Sequence, residues 1–230
     1  MVNSLRLLHL RSRIRELWSA YQSPQGLVFK RRDYARYEDY VKHQQTKLNM
    51  RSRSKNWKHD AKYRSVLRER LEEVSVSFSG KKVLCLGART GGEVQSFLDL
   101  GAFAVGIDLN PGKENRYVLF GDFHDVQFPE NSVDIVFTNA LDHVLYMDKW
   151  IAEVQRVLVP QGLLIFEAID GRDKRSSVGF YESFWWNAVD DLAALFERSQ
   201  FKLSRRSRID FPYRGEQLVL IKETSIPLSL

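Results

Sequence analysis

Apolar and polar positions alternate along this chain in two rhythms. Short apolar runs recur at Val83–Leu86, Phe103–Asp108, Arg116–Gly121, Val133–Thr138 and Leu163–Ile169. Each has the length of a strand covered on both faces. Between them the spacing turns helical. A helix opens at Gly91-Gly92, another spans Asp148–Leu158 with Trp150, Ile151, Val154 and Val157 on one face, and a third spans Asn187–Ser199. Phe201–Ile209 and Gln217–Lys222 alternate as a terminal strand pair turning near Pro212–Gly215. Strand–helix alternation closed by a hairpin predicts an α/β fold. The sheet is doubly wound, mostly parallel and seven-stranded, with an antiparallel C-terminal strand.

One interval breaks the rhythm. Only Leu109–Asn115 separates the second strand from the third, and Pro111-Gly112 lies inside it. A parallel crossover normally needs a dozen residues or more, so this one lacks its helix. The third strand is then an edge with a poorly covered face, which other parts such as the N-terminal helices must shield.

Residues 1–75 read as a basic helical extension and 76–230 as the sheet domain. Residues 4–22 carry Leu7, Leu10, Ile14, Leu17, Trp18 and Tyr21 at helical spacing. A cap packed on its own protein is the favoured reading, ahead of a transit peptide or a membrane-surface helix. Residues 30–49 read as a helix with Tyr34, Tyr37, Tyr40 and His43 three apart, either a lid or simple packing. Residues 50–59 read as a polar hinge, with RNA contact as the alternative. Asp60 caps a helix through Val74.

Charge sharpens this division. Residues 1–70 hold 18 Lys/Arg against 6 Asp/Glu, and the remainder 17 against 23. The single cysteine, Cys85, gives no disulfide framework and fits a reducing compartment. No apolar run reaches membrane-spanning length. A cytoplasmic protein without a metal site is expected, with organelle targeting by the N-terminal helix as the alternative.

The chemistry centres on Val83–Glu93. Gly87 lets the chain turn after a strand, and a helix starting at Gly91-Gly92 offers free N–H groups to an anion. About twenty residues on, Asp108 ends the next strand, where an acid accepts from ribose hydroxyls. These segments, with VGIDLNP, GDFHDVQFPENSVDIVFTNALDHV and IAEVQRVLVPQGLLIFEAI, resemble the class I S-adenosylmethionine-dependent methyltransferases across residues 80–222. The resemblance implies a Rossmann-like fold, S-adenosyl-L-methionine as cofactor, and methyl transfer to an acceptor. It implies that Gly87, Ala88 and Gly91 line the methionine half, Asp108 holds the ribose, and Leu109 packs on adenine. It further implies that Asp122 and Phe123 meet the adenine edge, and that Asn139 lies near the methyl, followed by Asp142 and His143.

Two positions depart from the family. Cys85 replaces an acid and Arg89 replaces a glycine; the Arg89 guanidinium is expected to meet the cofactor carboxylate. Arg89 also breaks the G-x-G-x-x-G pattern of nicotinamide enzymes. His143 is either a general base, with Asp142 and Asn139 beside it, or a structural histidine capping the turn; His124 reads as a surface residue. A small-molecule acceptor, anionic given the basic N-terminal third, is the leading expectation. An RNA methyltransferase and a non-catalytic binding module are the alternatives.

Overall fold

The computed structural model describes residues 18–22, 28–48, 53–171 and 179–224. The central sheet runs β3 (Lys82–Leu86), β4 (Phe103–Asp108), β5 (Val118–Phe120), β6 (Val133–Thr138), β7 (Leu158–Ile169), β9 (Phe201–Ile209) and β10 (Gly215–Lys222) in chain order. In space the order is β5-β4-β3-β6-β7-β10-β9. β3 pairs in parallel with β4 and with β6, and β10 runs antiparallel to both β7 and β9. The chain thus steps outward from β3 to β5, then returns to β6 on the other side of β3. That reversal opens a crevice at the carboxyl ends of β3, β4 and β6, where open α/β sheets bind ligands. Helices α3 (Gly92–Asp99), α4 (Met147–Val157) and α5 (Val189–Arg198) supply the crossovers.

The expected elements lie within a few residues of the observed ones. β7 starts at Leu158, earlier than its apolar run, because Leu158 pairs with Val133 before the register shifts to Leu163↔Ile135. The helix-free crossover before β5 is as expected, and β5 is an edge strand of 3 residues. Its expected shielding is not: Phe103, Leu119 and Phe120 stand 71%, 56% and 69% exposed. The N-terminal helix α2 (Arg53–Glu72) packs elsewhere. Its Tyr63, Leu67 and Leu71 share a core with Val83, Cys85, Phe97 and Phe137 in the middle of the sheet.

The N-terminal third differs most from expectation. Trp18–Gln22 forms a strand, β1, where a helix over 4–22 was expected; residues 4–17 lie outside the described residues. β1 pairs with β2 (Val28–Arg32), and β2 with β8 (Phe184–Trp186), in a second, three-stranded sheet. Hairpin pairing of β1 with β2, which is itself paired to the distant β8, overrides local helical spacing; Phe29, fully buried, stacks on Phe184 with centroids 5.3 Å apart. The helix expected over 30–49 is confined to α1 (Tyr37–Gln45) and a short 3-10 turn, Thr46–Leu48. Residues 53–59, expected as hinge, are the first turns of α2, so Asp60 lies inside the helix and not at its start. Among the described residues no helix is long and apolar enough to cross a membrane, and no His, Cys, Asp and Glu cluster could hold a metal ion.

Candidate functional site

At the crevice, Gly87 leaves β3 with φ 72°, and its N–H donates to Ile107 O at 2.9 Å. A Cβ there would sit 2.8 Å from the Ala140 Cβ, in a left-handed backbone that side chains disfavour, so glycine is required twice over. Arg89 follows with φ 43°, the left-handed conformation that glycine adopts without cost. Its backbone N–H donates to Asp108 Oδ2 at 3.0 Å, and Asp108 Oδ1 accepts from Asn110 N–H at 2.7 Å. These bonds fix the carboxylate at the tip of β4 and leave lone pairs for a ligand. Gly91, φ 88°, precedes α3, where a Cβ would strike Tyr117 at 2.8 Å.

These residues wall a cleft with about 550 Å³ of open space. Gly87, Arg89, Asp108, Leu109, Phe123, Asn139 and His143, all expected at the site, line it. Ala88 and Gly91 shape the turn from behind: Ala88 is buried, and its Cβ marks the limit of space at Gly106. Asp142 lies just outside, its Oδ1 3.7 Å from His143 Nε2. Asp122 also lies outside the lining. Its Oδ2 accepts from the Tyr37 hydroxyl at 2.5 Å, and its Oδ1 from the His124 backbone N–H at 2.8 Å.

His124 is fully buried, contrary to its expected surface place. Its Nε2 accepts from the backbone N–H groups of Leu145 and Tyr146, both at 3.1 Å. The ring proton is therefore on Nδ1, which faces Asp122 Oδ1 at 3.1 Å and the Tyr37 oxygen at 2.8 Å. Burial pushes the Asp122 carboxyl up, but hydrogen bonds from His124 and Tyr37 outweigh it and hold the pKa below the ordinary carboxylate value.

Helix α1 supplies a wall that periodicity alone did not assign. Tyr40, fully buried, packs with Leu109 and Leu145, and its hydroxyl donates to His143 O at 3.0 Å. Gln44 Nε2 donates to Tyr181 O at 2.8 Å and Ser183 Oγ at 3.1 Å. Asn110 Nδ2 donates to Gln45 O at 2.6 Å. Lys47, just beyond α1, lines the cleft with its ammonium nitrogen against His143 Nε2. His143 Nδ1 meets Tyr181 O at 2.9 Å, so Nδ1 carries the proton and Nε2 is the lone-pair nitrogen that accepts from Lys47. Burial lowers the His143 pKa to about 4, with Lys47 adding to the effect against Asp142. Burial and then Arg89 lower Lys47 to about 8.

Asn139 is held from below. Its Nδ2 donates to the Tyr63 hydroxyl at 2.9 Å, which donates to Glu167 Oε2 at 2.8 Å. Glu167, 1% exposed, accepts through Oε1 from Arg70 at 2.8 Å and Gln217 at 3.2 Å. Lys47 carries no spacing signature in the sequence, whereas Tyr37 belongs to the aromatic repeat of 34–43 that hinted at a lid.

Residues 84–166 match the family model of a methyltransferase domain. No curated protein matches the chain. Among solved structures, it is similar to the Burkholderia thailandensis 1,6-didemethyltoxoflavin-N1-methyltransferase with bound 1,6-didemethyltoxoflavin and S-adenosylhomocysteine. There the TM-score is 0.63 at 15% identity, over 90% of this chain and 100% of that one. A chain of the complex between the Haloferax volcanii Trm112 methyltransferase activator and a methyltransferase gives 0.60 at 16% identity, over 75% and 93%. A SAM-dependent methyltransferase from Aquifex aeolicus gives 0.54 at 17%, over 67% and 89%. The fold is that of the class I S-adenosylmethionine-dependent methyltransferases.

Proposed function

We propose that this protein, with a methyltransferase domain over residues 84–166 and the class I fold, is an S-adenosylmethionine-dependent methyltransferase acting on a small molecule. The observation that carries this is Asp108, pinned by two backbone N–H groups at the mouth of a cleft beside the glycine turn. The residues fit the cofactor. A carboxylate with spare lone pairs suits vicinal hydroxyls, and Arg89, which lines the same cleft, suits a carboxylate. When bound, the cofactor supplies an electrophilic methyl on a sulfonium.

The chain's own residues supply position and dryness. Asp108 holds the ribose, Gly87 lets the backbone approach, and Phe123 offers an apolar face. Arg89 pairs with the cofactor carboxylate. Asn139, fixed through Tyr63, faces the reacting end. His143, its two ring nitrogens tied to Tyr181 and Lys47, sits at that end with Asp142 beside it. Tyr37 and His124 hold Asp122 against α1, so a role for Asp122 at the adenine runs through this contact. The wall that α1 gives the cleft through Tyr40 and Gln44, braced by Tyr181 and Ser183, supports a small acceptor over an RNA strand.

Calorimetric titration with S-adenosylmethionine tests the reading. Saturable binding is expected, weakened at least tenfold in Asp108→Ala, which loses charge-assisted hydrogen bonds. Equal affinity in that variant rules out Asp108 as the ribose anchor.

A further inference from the structure

We propose that Lys47 is the proton acceptor for the methylated group, with His143 as the positioning residue that aims it. This rests on the cofactor reading above and goes beyond it.

The hydrogen bonds decide between the two groups. His143 has no free lone pair: Nδ1–H is spent on Tyr181 O, and Nε2 accepts from Lys47. A lysine amine that gives one N–H to Nε2 still has a lone pair, and Lys47 lines the cleft that also holds Asn139. The backbone beneath is fixed as well, since the Thr46 hydroxyl donates to His43 O at 2.7 Å and Asn110 donates to Gln45 O.

The surrounding charges also bear on the proton. From the β3–α3 turn comes Arg89; from β4, Asp108; from the turn after β6, Asp142 and the neutral His143. From the segment before β8 come Glu182 and the Tyr181 ring, whose centroid is 6.0 Å from Nζ. The three acids favour the ammonium, yet burial and Arg89 outweigh them and place Lys47 near 8, well within reach of proton exchange at neutral pH. A sulfonium entering the same cleft adds another positive charge and moves Lys47 further toward the amine.

The step balances. The X–H bond of the acceptor breaks and its proton goes to the Nζ lone pair, giving an ammonium. The electron pair left on X forms the bond to the methyl carbon, and the carbon–sulfur pair returns to sulfur. The ammonium then releases its proton to solvent.

The test needs no acceptor. S-adenosylmethionine and S-adenosylhomocysteine are titrated calorimetrically into the full chain at pH 8, in buffers of different ionisation enthalpy, to count protons released. Only the first carries the sulfonium charge. If that charge lowers Lys47 by about one unit, the charged fraction falls from about one half to about one tenth, a release of about 0.4 proton. The homocysteine form is expected to release clearly less. Lys47→Arg keeps the charge and a donor toward His143 but holds its proton, so the difference between ligands should vanish while binding persists; Lys47→Met should show the same loss. A wild-type difference below 0.1 proton, as for an ammonium that only clamps an anion, overturns the proposal. So does an undiminished difference in Lys47→Arg. Absence of saturable binding by either ligand overturns the cofactor reading and this proposal together, whereas binding without the proton difference overturns this one alone.

Discussion

Two positions of one turn, Gly87 and Arg89, show how single residues set the cleft. Gly87 and Arg89 both have left-handed backbones, φ 72° and 43°, but only Gly87 also has no room for a Cβ. Gly87→Ala is expected to cost about 2 kcal/mol or more, from backbone strain plus the contact with Ala140, read as a lower urea midpoint at unchanged slope. Arg89→Gly should instead gain up to about 1 kcal/mol by removing strain, while weakening cofactor binding through the lost guanidinium. Denaturation and calorimetry on the same variant separate the two effects. Asp108 was legible because a strand ending in an acid twenty residues after a glycine turn has one place to go in such a sheet. Lys47 was not: one lysine in a basic segment looks like any other until the chain it touches, His143, is brought to it from 96 residues away.

At the scale of elements, α1 is the piece whose role depends on its neighbours. Its aromatic residues three apart wind around the helix and address different partners. Tyr37 reaches Asp122, Tyr40 the Leu109–Leu145 pair, and His43 stacks on Tyr181 with centroids 5.2 Å apart. The Tyr37–Asp122 bond is a charge-assisted latch, so Tyr37→Phe is expected to loosen α1 by roughly 1.5–3 kcal/mol. Faster amide exchange confined to residues 37–45 would report it, with β3 and β6 unchanged. The latch depends on pH in a definite direction. Asp122 is lowered in the folded state, so its contribution is full above the unfolded carboxylate value, about 3.9. That contribution falls away as the pH drops through the lower folded value. Tyr37→Phe should therefore show a shallower stability loss across this acid window. Exchange that rises equally throughout the sheet would contradict a local latch.

Across the whole molecule, the N-terminal third is joined to the sheet through a buried ion pair. Arg70 of α2 meets Glu167 of β7, which is 1% exposed and also holds Tyr63 and, through it, Asn139. Removing the cation strands a buried carboxylate. Arg70→Ala is expected to cost about 3–5 kcal/mol, a fall in Tm on the order of 10 °C for a chain of this size. Glu167→Gln, which leaves no buried charge on the acid side, should cost less. If both variants melt within a degree or two of wild type, α2 is not anchored there.

The order of the seven central strands and of the helices between them, the missing crossover helix before β5, the glycine turn and the acid ending β4 were set by the sequence itself. All of them depend on local backbone preference and on short apolar runs that must be buried. Tertiary structure alone decided the rest: that Trp18–Gln22 is a strand, that residues 53–59 belong to a helix, that His124 is buried, and that Lys47 faces His143. His124 and Lys47 take their places from partners far along the chain, and Trp18–Gln22 from its hairpin with β2; pairing or burial against such partners outweighs the weak preference of the local segment.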